Sequence, residues 1–229
     1  MINGNDGDSE SAGTKIRSQH IVLLIVSVST PELLPTITHY IVKTDSNGIL
    51  EIDNLHLLSW FLKGVIIVKE SWMIACLKRK KLIEKDSEYL VEKVRYKGTV
   101  YDTVTRWSKA MAKGEMPYLY GVYAAVVMKE YSEFMTLKSI ITSLGGIMLE
   151  QFPEKQFFNV GSHPYLHANR GPLFIFHDGQ QTTLDIYKND PDKMYTLFTE
   201  EEFVHFLLKR EITVDTRAKP VPVLAEQNE

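Results

Sequence analysis

Four consecutive bases, Lys78, Arg79, Lys80 and Lys81, close the stretch VKESWMIACLKRKK at residues 68–81. Such a run can contact phosphates or act as a localisation signal. It can also do something plainer, because cations at a helix C-terminus meet the negative end of the macrodipole, each worth about 0.3–1 kcal/mol. The structural reading is the one the neighbours support. Trp72, Ala75, Cys76 and Arg79 recur at the i, i+3, i+4, i+7 spacing of one helix face, so the tryptophan is expected to anchor a core. Cys76 on that face reads as a packed thiol rather than a nucleophile. In the C-terminal half, His163, His167, His177 and Asp178 gather, but their spacing fits no metal-ligand or triad template. No catalysis, metal or cofactor is expected of this chain.

The elements that must position any site come next. The chain has 229 residues, 44% apolar and 24% charged, as in globular proteins with a core of ordinary size. A formal charge of −3 argues against a general DNA-coating protein and leaves only a local basic patch. One cysteine excludes an internal disulfide and a cysteine-rich zinc site, and fits a reducing compartment. No apolar run approaches the roughly 20 residues that span a bilayer, so no membrane partner is expected. The opening MINGNDGDSESAGTK is polar and acidic, reading as a disordered tail over residues 1–18 and not as a secretory signal.

Residues 20–27, HIVLLIVS, are a continuous apolar, β-branched run predicting a strand covered on both faces. Short buried strands are also predicted at 38–43 and 65–68, with a helix at 53–64 capped by Asp53 or Asn54. A polar stretch, residues 96–117, reads as a linker with one helix anchored by Trp107. Beyond it come a strand at 120–128, a helix at 133–146 ended by Gly145-Gly146, and strands at 147–152 and 171–178. A final strand and helix follow, with Thr199 and Glu202 spaced as a capping box. The two closing segments match. In VKESWMIACLKR and LFTEEEFVHFLLKR, a Lys-Arg pair follows an aromatic anchor, Trp72 or Phe203, by six and seven residues. An internal duplication of about 100 residues per copy follows, too long for a solenoid repeat, and strands alternating with helices favour a small parallel sheet in each copy.

On these residues the chain resembles a tandem BRCT module over about residues 19–215. The marks are Thr38-His39 before a buried strand, Gly145-Gly146 after a first helix, and Trp72 in a closing helix. The likeness is nearest to the modules of a RING-type ubiquitin-ligase heterodimer, the RING-partner branch being favoured. The resemblance implies an α/β fold of two domains, each a parallel sheet of about four strands flanked by helices, packed head to tail. The domains would be 19–95 and 118–216, followed by a C-terminal tail at 217–229. Two departures stand out. Residues 29–38 leave no room for the usual first helix and second strand, so the first domain is shortened. Phe203 stands where a tryptophan is usual, a size change a core can accommodate.

Members of this kind grip a phosphoserine with a Ser-Gly at the end of the first strand and a Thr-X-Lys at the start of a long helix. These fall on Ser27-Val28 and on Asn54-Leu55-His56, so the serine alone is retained. Val28 keeps a backbone N–H but its Cβ restricts close approach, Asn54 can donate, and His56 offers an imidazole in place of an ammonium. Lys43 and Lys63 are candidate accessory cations. The bland readings are a strand-end serine, a helix cap, a surface histidine and solvated lysines. What the resemblance implies is a nuclear, non-catalytic interaction module of the DNA-damage response. It would bind phosphorylated partner proteins through the first domain and the groove between domains, with no small-molecule substrate. The alternatives are a reader of ubiquitin-marked nucleosomes and a purely structural scaffold.

Overall fold

A computed structural model describes residues 24–25, 39–62, 65–83, 87–128, 131–150, 158–163, 166–180, 184–213 and 219–224. The apolar runs of the first half become β1 (Leu24–Ile25), β2 (His39–Val42) and β4 (Ile66–Lys69), parallel in the order β1-β2-β4. Between β2 and β4 come β3 (Ile49–Ile52) and α1 (Leu55–Leu62), and α2 (Glu70–Arg79) follows β4 without a break. The second half has β7 (Tyr123–Val126), α4 (Phe134–Ser143), β8 (Ile147–Met148) and β10 (Leu173–Phe176). It closes with α5 (Leu184–Lys188), β11 (Tyr195–Phe198) and α6 (Glu200–Lys209). Its four strands are all parallel in the order β11-β10-β7-β8. All four residues of β10 are buried, as expected of a strand with helices on both faces.

Two sheets were not expected. β5 (Lys93–Tyr96) and β6 (Thr99–Tyr101) form a hairpin on the two-residue turn Lys97-Gly98, with φ of 47° and 79°. Positive φ at both turn residues matches the right-handed twist of the flanking strands. β3 adds to β5 in parallel, so this hairpin belongs to the first half rather than to a loose linker. β9 (Phe158–His163) and β12 (Lys219–Leu224) pair antiparallel. The linker helix is present as α3 (Val104–Lys113), with Trp107 buried.

One apolar core spans both halves. It contains Tyr40, Leu58 and Trp60 together with Leu137, Ile140, Phe203 and Leu207, and α1 packs on α4. A core shared in this way holds the halves at a fixed relative position, because an opening would expose apolar surface at about 25 cal/mol per Å². Clamps around α3 reinforce it. Thr103 Oγ1 donates to the Leu208 carbonyl, Tyr118 OH donates to the Glu211 carbonyl at 3.0 Å, and Arg210 pairs with Glu115 at 3.3 Å.

The glycine pair after α4 has a steric cause. Gly145 has φ +84°, and a Cβ there would stand 2.5 Å from Pro117 Cβ, while one on Gly146 would meet Ile141 Cγ2 at 2.9 Å. Gly145→Ala is expected to cost roughly 1–3 kcal/mol, read as a lowered urea midpoint with unchanged slope.

Candidate functional site

The phosphate-site candidates come together only in part. At the start of α1, Asn54 is the capping residue, its Oδ1 accepting the Leu57 N–H at 2.8 Å. Its Nδ2 donates to Asp53 Oδ1 at 2.5 Å, so both ends of the amide are engaged within the first turn. His56 is exposed one residue into the helix, its ring edge-on to Trp60 at 6.2 Å. Lys43 is exposed immediately past β2. Topology places these three on one side. Trp60, late in α1, stacks on Tyr40, early in β2, at 5.1 Å, so α1 runs back along β2 and its first turn lies toward the edge where the parallel strands β2 and β4 end. In open α/β sheets, ligands bind at that carboxyl edge, and a helix N-terminus there presents free N–H groups to an anion. Asp53 opposes this, bringing a carboxylate to the same turn. Ser27, Val28 and Lys63 lie outside the described residues.

The loop behind Lys43 is held firmly. Asp45 Oδ1 accepts the N–H groups of Asn47 and Ile49, both at 2.9 Å, and Arg95 bridges Asp45 Oδ2 at 3.1 Å and Glu51 at 3.3 Å. The Ile49 N–H and the Arg95 guanidinium hold the Asp45 carboxyl below the usual carboxylate range.

A second feature was not foreseen from the sequence. A cleft of about 490 Å³ opens between the β5–β6 hairpin of the first half and α6 of the second. Thr99 and Tyr101 line one wall, and Glu202, His205 and Lys209 the other, with Arg170 alongside. Tyr101 OH is hydrogen-bonded to His205 Nδ1, and the Tyr96 ring stands edge-on to the same imidazole at 5.1 Å. Arg170 lies over the Phe198 and Phe206 rings at 5.4 and 5.0 Å, a cation–π seat that fixes its guanidinium. Glu202 is spent on its own helix: it accepts from Thr199 N–H at 2.8 Å in the capping box, which lowers its carboxyl below the ordinary range. The signal that could have found this wall was present in KVRYKGTVY, alternating residues around a Lys-Gly turn.

The other singled-out residues are structural. Trp72 and Phe203 are both buried at 2% or less exposure. Ile83 N–H donates to Cys76 Sγ at 3.4 Å, so the lone, half-buried thiol of α2 packs against the segment that follows the helix. The histidines are dispersed. His167 is buried, its Nε2 2.7 Å from the Tyr118 carbonyl. Gly179 N–H donates to His177 Nδ1 and Gln180 N–H to Asp178 Oδ1, local turns after β10. Of His163 only the backbone, in β9, is described. No group of metal-ligating side chains occurs among the described residues.

Comparison with known proteins agrees with this architecture. Residues 5–77 match the model of the BRCA1 C Terminus (BRCT) domain. A Caenorhabditis elegans protein described as ankyrin repeat-containing protein F37A4.4 is 54% identical over 203 residues, 89% of this chain and 17% of its own length. The BRCA1-associated RING domain protein 1 of Caenorhabditis elegans is 29% identical over 188 residues, 77% of this chain and 26% of its own. The chain thus spans about a sixth to a quarter of the length of these curated relatives. The crystal structure of the S. pombe Brc1 BRCT5-BRCT6 domains covers 84% of this chain and 92% of that one, with a TM-score of 0.54 at 15% identity, a likeness of fold. Two small parallel sheets with flanking helices, twin closing helices and a shared core give this chain the fold of a tandem BRCT module, with the BRCT family match itself lying in residues 5–77.

Proposed function

We propose that this chain is a non-catalytic, nuclear interaction module of the DNA-damage response that takes a phosphoserine of a partner protein at the first turn of α1. His56 and Lys43 would supply the positive charge there, and the residues following the phosphoserine would run into the cleft between β6 and α6. BRCT domains are typically protein-interaction modules of that response. The observation that carries the reading is the exposed first turn of α1, with Asn54 and His56 at the same sheet edge as Lys43. A helix N-terminus with adjacent cations suits a phosphate dianion. In this arrangement the Asn54 amide turns from Asp53 to a phosphate oxygen on binding.

The test is fluorescence anisotropy with a phosphoserine peptide library, each peptide beside its unphosphorylated twin. Phosphorylation is expected to tighten at least one sequence by about tenfold or more, equivalent to about 1.4 kcal/mol. Ser27→Ala with His56→Ala should remove that gain while leaving the thermal midpoint in place. Asp53→Asn should enlarge it, because one like charge leaves the site. Absence of any phosphate-dependent gain would sink the reading. Retention of ubiquitin-marked nucleosomes without phosphopeptide binding would replace it with chromatin reading.

A further inference from the structure

The two closing helices are built on one plan, yet their outward faces meet different fates. Counting about 100° per residue, Ile74 and Leu77 of α2 lie about 200° and 140° round the helix from buried Trp72. They occupy the side where polar residues are expected. Ile74 is 49% exposed and Leu77 70% exposed, and Leu82 just past the cap is 43% exposed. Lys78, Lys80 and Lys81 are exposed beside them, while Arg79 is exposed at the helix end on the Trp72 side, and among the described residues none of the four is in an ion pair. The helix dipole accounts for charge within the last turn, Lys78 and Arg79. It accounts neither for Lys80 and Lys81 nor for the aliphatic ridge.

The sequence match of the closing segments places Ile74 opposite His205, Leu77 opposite Leu208 and Arg79 opposite Arg210. In α6 those positions are covered. His205 is held by Tyr96 and Tyr101, and Leu208 is buried with Thr103 bonded to its carbonyl. Arg210 lies over the Trp107 ring at 4.9 Å and pairs with the Glu115 carboxylate at 3.3 Å. The covering element there is a hairpin and an amphipathic helix, α3, with an aromatic anchor and a carboxylate for the arginine. The same face of α2 has no such cover among the described residues.

We infer that the outward face of α2 is a second docking surface, separate from the candidate phosphate site, whose occupant is an amphipathic helix of a partner protein carrying an aromatic or leucine stripe flanked by carboxylates. The stripe packs on Ile74, Leu77 and Leu82, and the carboxylates meet Lys78, Lys80 and Lys81, giving register and orientation as in other helix-on-surface recognition. The aliphatic ridge favours a protein over a nucleic acid, whose phosphates would use the bases and leave Leu77 in water.

The experiment titrates the full chain against a labelled synthetic helix of roughly 18 residues, with Trp and Leu on one face and Glu on its flanks. The same peptide with Lys flanks, a short DNA duplex and phosphatidylserine vesicles serve as the other arms. The Glu-flanked helix is expected to bind about tenfold or more tightly than the Lys-flanked one. Leu77→Asp and, separately, Lys78→Glu should each weaken it by about tenfold. Leu77 is largely exposed, so Leu77→Asp should leave the thermal midpoint in place and report on docking alone. Equal binding of the two helices, no saturation with the Glu-flanked one, or indifference to Leu77→Asp would overturn the inference. So would tighter binding of duplex or vesicles that Leu77→Asp leaves intact.

Discussion

Replacing Trp72 by alanine is expected to remove about 3–5 kcal/mol of folding stability. Trp72 is 2% exposed and anchors a small cluster with Ile41, Val68 and Ile83, separate from the main core. Its ring stacks on His39 at 5.0 Å and 6°, and its N–H donates to the Ile83 carbonyl at 3.1 Å. A cluster this small has few side chains that can move into the vacated volume, so little of the cavity is recovered by collapse. The Ile83 carbonyl also loses its donor. For a chain of this size 3–5 kcal/mol corresponds to a drop of about 10 °C in the thermal midpoint. Trp72→Phe separates the contributions: it keeps most of the ring and loses the hydrogen bond, at about 1–3 kcal/mol. A midpoint shift of only a degree or two for Trp72→Ala would contradict the packing described.

The second large effect is acid destabilisation through His167. Its imidazole is buried between Tyr118 and Phe206, and desolvation pushes its pKa down from 6.5 to about 4. The neighbouring Arg170 acts in the same direction, while the bond from Nε2–H to the Tyr118 carbonyl acts against it. The folded state thus binds the proton more weakly than the unfolded chain. Stability is unaffected above about pH 6.5 and falls as the pH drops toward 4, by about 1.4 kcal/mol per unit, for a total of about 3 kcal/mol. His167→Gln keeps a donor for the carbonyl and removes the titration. Urea denaturation from pH 8 to 4 should show the native curve falling through this window and the variant's flatter by about that amount. Parallel curves would show that His167 is not the group responsible.

Much of the fold was legible because it rests on local pattern. The apolar runs at 38–43 and 65–68 became β2 and β4, and the 3.6-residue spacing around Trp72 became α2. Asn54, one of two cap candidates, is the residue that caps α1, and Thr199 with Glu202 forms the capping box their spacing implies. The hairpin was missed because Tyr96–Tyr101 falls in a polar, glycine-marked stretch. Its partner β3 has only four residues and pairs across more than forty positions of sequence. Periodicity carries no information about such a pairing.

The candidate site was legible only as residue types. That Asn54 and His56 sit on the first turn of a helix could be read from the cap. That Asp53 holds the Asn54 amide, and that a cleft faces α6 from the hairpin, could not.

By itself the sequence determined the duplication, the twin closing helices, their aromatic anchors and the glycine pair, since each is set by contacts within a few residues or by a backbone angle only glycine readily adopts. Tertiary structure alone decided which copy of a repeated helix is covered. Leu208 is buried and Arg210 lies over Trp107 of α3, while Leu77 and Arg79 are exposed. It also decided that His167, set in the short irregular stretch Leu166–Arg170, is neutral and buried. The physical reason is the same in both cases. Burial and charge state depend on which distant element arrives to displace water, and a short stretch of sequence records its own pattern but not that arrival.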